Sequence, residues 1–245
     1  MAMKAIELLA PAKDFACGKA AVDHGADAVY IGGPSFGARS AAGNTLADIA
    51  RLVEYGHRYR AKVYMTLNTI LFDHELEDAR DLARQAWDAG VDALIIQDMG
   101  LLELDLPPVP LIASTQMHNL EVGHVRFLEE VGFQRVILAR ELSLEEIRAI
   151  REHTSIELES FVHGSLCVSY SGRCNLSYTL GGRSANRGTC AQPCRLPWDL
   201  VDAHGKKILA SRYVLSLKDM DRCAYLSELI DAGVTAFKIE GRLKD

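Results

Sequence analysis

One phrase recurs four times along this chain, as DHGADAVYIGG, DAGVDALIIQD, EVGFQRVILAR and DAGVTAFKIEG. Each copy reads as a helix end, a glycine, a short turn and a strand. The glycines, at positions 25, 90, 132 and 233, suit the left-handed residue just past a helix C-terminus, where a Cβ is costly. Repetition of such a unit argues for successive β-α elements. Eight short apolar runs supply the strands, at 6–9, 28–31, 62–67, 93–97, 111–114, 135–139, 156–161 and 236–239. Several are near-continuous rather than alternating, as strands covered on both faces are.

The intervening segments are amphipathic. TLADIARLVEYGHRYR puts Leu46, Ile49, Leu52 and Val53 on one stripe, and ELEDARDLARQAWDAG does the same with Leu76, Ala79, Leu82, Ala83 and Ala86. SLEEIRAIREH opens with Ser143 and places Glu146 three residues later, a capping box. Eight strands with helices between them most economically close an α/β fold of the (β/α)8 TIM-like barrel type; a doubly wound open sheet is the alternative. The 245 residues, 49% of them hydrophobic, suffice for a single barrel domain over 1–245.

In such a barrel the chemistry gathers where the strands end. The predicted strand ends carry Gln97, Asp98, Gln116, His118, Asn119, Arg140, Glu141, Glu159, His163, Glu240 and Arg242, a set expected to converge on one mouth. His118 and His163 suit acid–base work on a small substrate, or are ordinary satisfied histidines. Glu159 and Glu240 suit orienting a substrate or its hydroxyls, or pair with Arg140 or Arg242.

The rhythm breaks once. About seventy residues separate the seventh strand from the eighth, and a cysteine-rich insertion occupies about 164–215. A structureless stretch that long inside a domain is uncommon and usually functional. It holds Cys167, Cys174, Cys190 and Cys194, with six, fifteen and three residues between them. Four thiols in a glycine-rich segment with little apolar material suit zinc or an iron–sulfur cluster. The spacing matches neither a zinc ribbon nor the tight ferredoxin run; buried small hydrophobes are the plain alternative. Cys17 is expected in the core of the first helix, and Cys223 is either a core residue or a ligand in place of Cys194. Arg173, Arg183, Arg187 and Arg195 interleave with the thiols. They can offset the negative charge of a cluster or grip carboxylate and phosphate oxygens. Tyr170, Tyr178 and Trp198 offer rings for stacking on a flat substrate. WDLVDAHGKKILASRYV reads as a β-hairpin turning at 203–205.

The net charge of -6 gives no global basic character for nucleic acid, though a local basic face is compatible with it. No secretory signal pattern opens the chain, and no run of eighteen apolar residues is present, so a cytoplasmic protein without membrane insertion is expected. A reducing compartment turns clustered thiols toward metal or catalysis rather than disulfides. No HExxH occurs, and IGGPSFGARS lacks the spacing of a dinucleotide loop. His163 lies four residues before Cys167, and a Cys–His pair can make a nucleophile, but that would leave three thiols unexplained.

ESFVHGSLCVSYSGRCNLS, NRGTCAQPCR and FKIEGRLK, with ELLAPAKD, DAVYIGG and STQMHN nearer the start, closely resemble the landmarks of the U-thirty-two peptidase family, the collagenase-like proteases. The resemblance covers nearly the whole chain. It implies more than the peptidase label. Better-understood relatives look like oxygen-independent hydroxylation enzymes with a [4Fe-4S] cluster, acting on a tRNA uridine or an rRNA cytidine with prephenate as the implied hydroxyl donor. Others work as a pair on the aromatic ring of a ubiquinone precursor, so RNA or a small aromatic substrate, and a homo- or hetero-dimer, are implied. A collagenase-like peptidase and a non-catalytic cluster-bearing subunit are the alternatives. The resemblance makes Cys167, Cys174 and Cys190 cluster ligands, with Cys194 preferred as the fourth over Cys223. Many members carry a cysteine directly after KDL or KDM; here that place is Asp221. Many RNA-modifying members also continue well past KIEGR, whereas this sequence stops at Asp245.

Overall fold

A computed structural model describes residues 6–39 and 43–241. In chain order the strands are β1 (Glu7–Ala12), β2 (Ala28–Gly32), β3 (Lys62–Leu67), β4 (Ala93–Ile96), β5 (Leu111–Ala113), β6 (Arg135–Ile137), β7 (Glu157–Gly164), β8 (Trp198–Val201), β9 (Lys207–Arg212), β10 (Met220–Asp221) and β11 (Ala236–Ile239). Strands β1 to β7 pair in sequence, all parallel. β11 then joins β7 to β1 and closes an eight-stranded barrel, which rules out the open sheet. Glycines 25, 90, 132 and 233 all have positive φ, between 85° and 104°, as the repeated phrase requires.

The helices are α1 (Phe15–Asp23), α2 (Leu46–Arg58), α3 (Leu76–Asp88), α4 (Val122–Glu130), α5 (Leu144–Glu152), α6 (Leu176–Gly181) and α7 (Leu226–Asp231). The stripes read from the sequence are the buried faces: Ile49, Leu52 and Val53 on α2, and Ala79, Leu82, Ala83 and Ala86 on α3. Ser143 and Glu146 form the expected capping box on α5. Between β4 and β5 a single 3-10 turn, Met99–Glu103, takes the place of a helix. Cys17 is not a core residue. The buried face of α1 is set by Gly18 and Val22, which turns the neighbouring Cys17 outward and leaves it exposed. No described helix is long and apolar enough to cross a membrane.

Strand residues facing outward pack with the helices, and those facing inward fill the lumen with Leu9, Tyr30, Tyr64, Ile95, Ile112, Ile137 and Phe161. The lumen is also charged. Arg135 Nη1 bonds Glu7 and lies 3.2 Å from Glu159 Oε2, while its Nη2 lies 2.9 Å from Glu157. Tyr64 donates to Glu7 at 2.8 Å. Lys238 Nζ stands 3.1 Å from Glu159 Oε1. Glu159 is therefore not at the mouth. β7 continues three residues beyond its predicted end, and Glu159 registers with Ala236, the first residue of β11. Its ion-pair partners are Arg135 and Lys238 rather than Arg140 or Arg242, the latter lying outside the described residues.

The insertion follows β7 and runs to β10, which returns antiparallel to β7. Its β8–β9 hairpin turns where the sequence indicates, with Asp202 Oδ1 accepting from His204 N and Lys206 N, both at 2.9 Å. Apart from this hairpin the insertion lies over the strand ends.

Candidate active site

The strand ends and the insertion enclose a cavity of about 500 Å³. Its floor is the top of the lumen: Tyr30, Ile95, Ile137, Phe161 and Lys238. The Lys238 ammonium lies 4.1 Å from the centre of the Tyr30 ring. Thr66, Asn68, Ser114 and Gln116 add polar groups from the ends of β3 and β5, with Asn68 Nδ2 donating to Ser114 Oγ at 3.2 Å. On one side Arg140 donates to Glu240 Oε2 at 2.6 Å and stacks over Phe161, 3.9 Å from the ring centre.

The roof is the insertion, and three contacts hold it down. Gly172, at φ +70°, comes so close to the Gln116 carbonyl that a Cβ would stand 1.9 Å from that oxygen; only glycine meets both demands. Beside it, Ser171 N and Oγ donate to Glu141 at 2.8 and 3.0 Å. Arg187 makes a two-pronged pair with Glu75, at 2.6 and 2.7 Å, and stacks over Phe72. Arg195 reaches Ser216 Oγ, Leu217 O and Leu166 O, tying together three parts of the insertion.

Arg187 holds the Glu75 carboxyl down to about 2, from a usual 4.5. A carboxyl depressed by folding stabilises the folded form above its unfolded pKa, and that contribution is lost as pH falls through the folded value. Amide protection at residues 183–190, taken relative to the intrinsic exchange rate at each pH, is therefore expected to stay level from pH 7 to about 4.5 and to fall as the pH drops toward 2. In Arg187→Met the same amides should exchange fast at every pH. Equal protection of variant and parent at pH 6 would contradict the clamp.

Cys167, Cys174, Cys190 and Cys194 all border the cavity. Burial pushes the Cys167 thiol up, and the nearby Cys174 and Cys194 add to the rise. Cys194 is raised in the same way, by burial and then by Cys190 and Cys174 against the opposing charge of Arg195. Four thiolates here would repel one another unless a cationic centre stood among them. Among the described residues no three His, Cys, Asp or Glu side chains gather around one point as a single ion requires. The four thiols share the wall of one cavity, and an all-thiol donor set is the kind an iron–sulfur cluster takes. Cys223 does not border the cavity. It is exposed in a turn after β10, its backbone N–H on Asp221 Oδ1 at 2.9 Å.

The remaining predicted residues divide. Glu240 and Arg195 border the cavity. His118 stands behind the roof, with Nδ1 3.1 Å from Ser171 O and its ring edge-on to Tyr170. His163 is exposed and registers with Asp221 on β10. Arg187 serves the clamp, and Arg173 borders a neighbouring cavity. Tyr170 faces the cavity, whereas Trp198 Nε1 donates to Pro193 O at 2.8 Å. Lys238 escaped the sequence reading, although a lysine in an otherwise buried strand is a signal in itself.

A model of peptidase family U32 matches residues 13–245. The chain is 56% identical over 240 residues to the 23S rRNA 5-hydroxycytidine C2501 synthase of Escherichia coli, covering 98% of this chain and 37% of that protein. It is 40% identical to tRNA hydroxylation protein P1 of Bacillus subtilis (97% and 59% covered) and 33% identical to a collagenase of Porphyromonas gingivalis (97% and 61% covered). The chain thus spans less than two thirds of each of these relatives. Its fold is shared with the U32 peptidase Mk0906, at TM-score 0.61 and 14% identity over 96% of this chain and 93% of that one.

Proposed function

This chain belongs to peptidase family U32, and we propose that it is an iron–sulfur-dependent, oxygen-independent enzyme that hydroxylates a base of RNA. The observation that carries this reading is the presence of four thiols on the wall of the barrel-mouth cavity. The 56% identity to an rRNA hydroxycytidine synthase supports RNA as the substrate. Cys167, Cys174, Cys190 and Cys194 hold a [4Fe-4S] cluster in this proposal. When bound, the cluster supplies an iron-centred redox and Lewis-acid site beside the cavity.

The chain's own groups bind and orient. Phe161 and Tyr30 give the floor a flat apolar surface, and Lys238 sets a positive charge in it. The Arg140–Glu240 pair presents a fixed donor–acceptor edge on the wall. The roof keeps bulk water from the floor, which strengthens each of these polar contacts. Prephenate, the donor implied by the resemblance, carries two carboxylates, and the guanidinium groups of Arg39 and Arg183 border the cavity where they can take them. The peptidase reading gains nothing from the histidines: His118 is turned to a backbone carbonyl and His163 is exposed.

Protein purified without oxygen should contain about four irons and four acid-labile sulfides per chain, with a broad visible absorption that bleaches in air. Stoichiometric zinc with no iron would sink the proposal.

A further inference from the structure

Among the described residues five non-glycines have positive φ: Phe36, Arg60, His118, Gln192 and Ser211. Of these, Gln192 is the one that borders the thiol-lined cavity. It lies between Cys190 and Cys194, at φ 55° and ψ 45°. A Cβ in this left-handed conformation crowds the backbone, and glycine adopts it without that cost. The next residue is Pro193, and a proline pushes the residue before it toward extended backbone. Gln192 therefore stands against two local rules at once.

The turn is built to hold it there. Gln192 N–H donates to Cys190 Sγ at 3.3 Å, and its carbonyl accepts from Arg195 N at 2.9 Å. Pro193 is buried, and its carbonyl takes the Trp198 Nε1 bond. Glycine at 192 could make both backbone bonds with less strain. The glutamine side chain adds no hydrogen bond to the fold. It is exposed, and its carboxamide has no partner among the described residues. Both backbone polar groups are used within the turn, so the carboxamide is what this residue has left to offer. Strained backbone held in place by its surroundings clusters where ligands are gripped.

A carboxamide carries an N–H donor and an oxygen acceptor side by side. That edge fits a partner with a donor and an acceptor adjacent, as when glutamine pairs in two-pronged fashion with a base. Unstacked bases of single-stranded RNA are held through such edges.

We propose that Gln192 is a substrate-contacting residue, its carboxamide pairing with the hydrogen-bonding edge of the base in the thiol-lined cavity and holding that base beside Cys190 and Cys194. The inference rests on the RNA reading given above. It concerns holding the base, not choosing among bases, since each of them presents such an edge.

The test is fluorescence anisotropy with two labelled single-stranded RNA pentamers, using the cluster-loaded chain under anaerobic conditions. One pentamer has a central cytidine, the other an abasic central site, and the flanking uridines are the same. The parent should prefer the cytidine pentamer. Gln192→Gly should cut that preference about tenfold, the worth of a matched hydrogen bond, and bind the abasic pentamer as the parent does. It should also keep its iron and melt no lower than the parent, because glycine relieves the left-handed strain. Gln192→Met, similar in length and equal in backbone strain but without the amide, should bind as the glycine variant does. A preference that survives in either variant overturns the contact and leaves RNA as the substrate. Loss of iron or a lower melting midpoint in Gln192→Gly would make the side chain structural and overturn the contact too. A parent that binds both pentamers alike, or neither, overturns the RNA reading and this inference with it.

Discussion

Serine at Cys194 empties the protein of iron, and serine at Cys223 leaves it loaded. These are the outcomes expected from the placement of the two thiols, which sequence spacing alone could not separate. Cys194 borders the cavity with Cys167, Cys174 and Cys190, close enough that its ionisation is opposed by two of them. Cys223 sits outside the cavity, and its thiol is pushed up by the hydrogen bond and charge of Asp221, an acidic neighbour that disfavours the thiolate a cluster needs. Iron in Cys194→Ser should fall from about four per chain to a small fraction of that, and the visible absorption should go with it. Amides of the insertion should also lose protection, because metal binding and local folding are coupled, and Arg195 next door ties this turn to Leu166, Ser216 and Leu217. The two single variants, purified side by side and assayed for iron, decide the matter. Equal loss in both would mean that the turn at Cys223 swings inward on loading.

The barrel was legible because its signal is local and repeated. A glycine past a helix end and a buried strand a few residues later lie within one short stretch, and four copies leave little freedom of interpretation. Strand ends were less legible. Glu159 lies inside the strand predicted at 156–161 yet is grouped there with the polar strand ends; the lumen is charged, and β7 runs on through it to Gly164. Lys238 is the counterpart, a buried cation whose carboxylate stands on another strand. The cysteines stood out by clustering alone, since thiols so near in sequence need little help from the fold to meet. The clamp between Arg187 and Glu75 did not, because its partners are 112 residues apart and only barrel closure brings them together.

Glu159→Gln should cost the fold about 3–5 kcal/mol, the usual penalty for removing one partner of a buried ion pair. Four charged side chains share the lumen, two carboxylates (Glu7 and Glu159) and two cations (Arg135 and Lys238), and all are buried. Glu159 is the member that touches both cations. Its contact with Lys238 is an ion pair without hydrogen-bond alignment, since Oε1 has no hydrogen-bond partner, so the attraction there depends on the full carboxylate charge. Glutamine keeps the shape and removes the charge, taking a carboxylate from both Arg135 and Lys238. Burial raises the Glu7 carboxyl, yet hydrogen bonding and charge from Arg135, with Tyr64 and Lys62, outweigh it and hold that group below its usual value. Glu7 therefore adds stability above its unfolded pKa and loses it as the solution is acidified, and the variant should be more acid-sensitive than the parent. Glu157→Gln is the matched control. Its carboxylate also pairs with Arg135, but its side chain is 46% exposed, and a pair that solvent screens is worth about 1 kcal/mol or less. Urea unfolding at neutral pH should thus move the midpoint far down for Glu159→Gln and little for Glu157→Gln. Similar shifts in the two would show that water reaches the lumen, and that Lys238 then stands in the cavity floor as a hydrated cation rather than one fixed by Glu159.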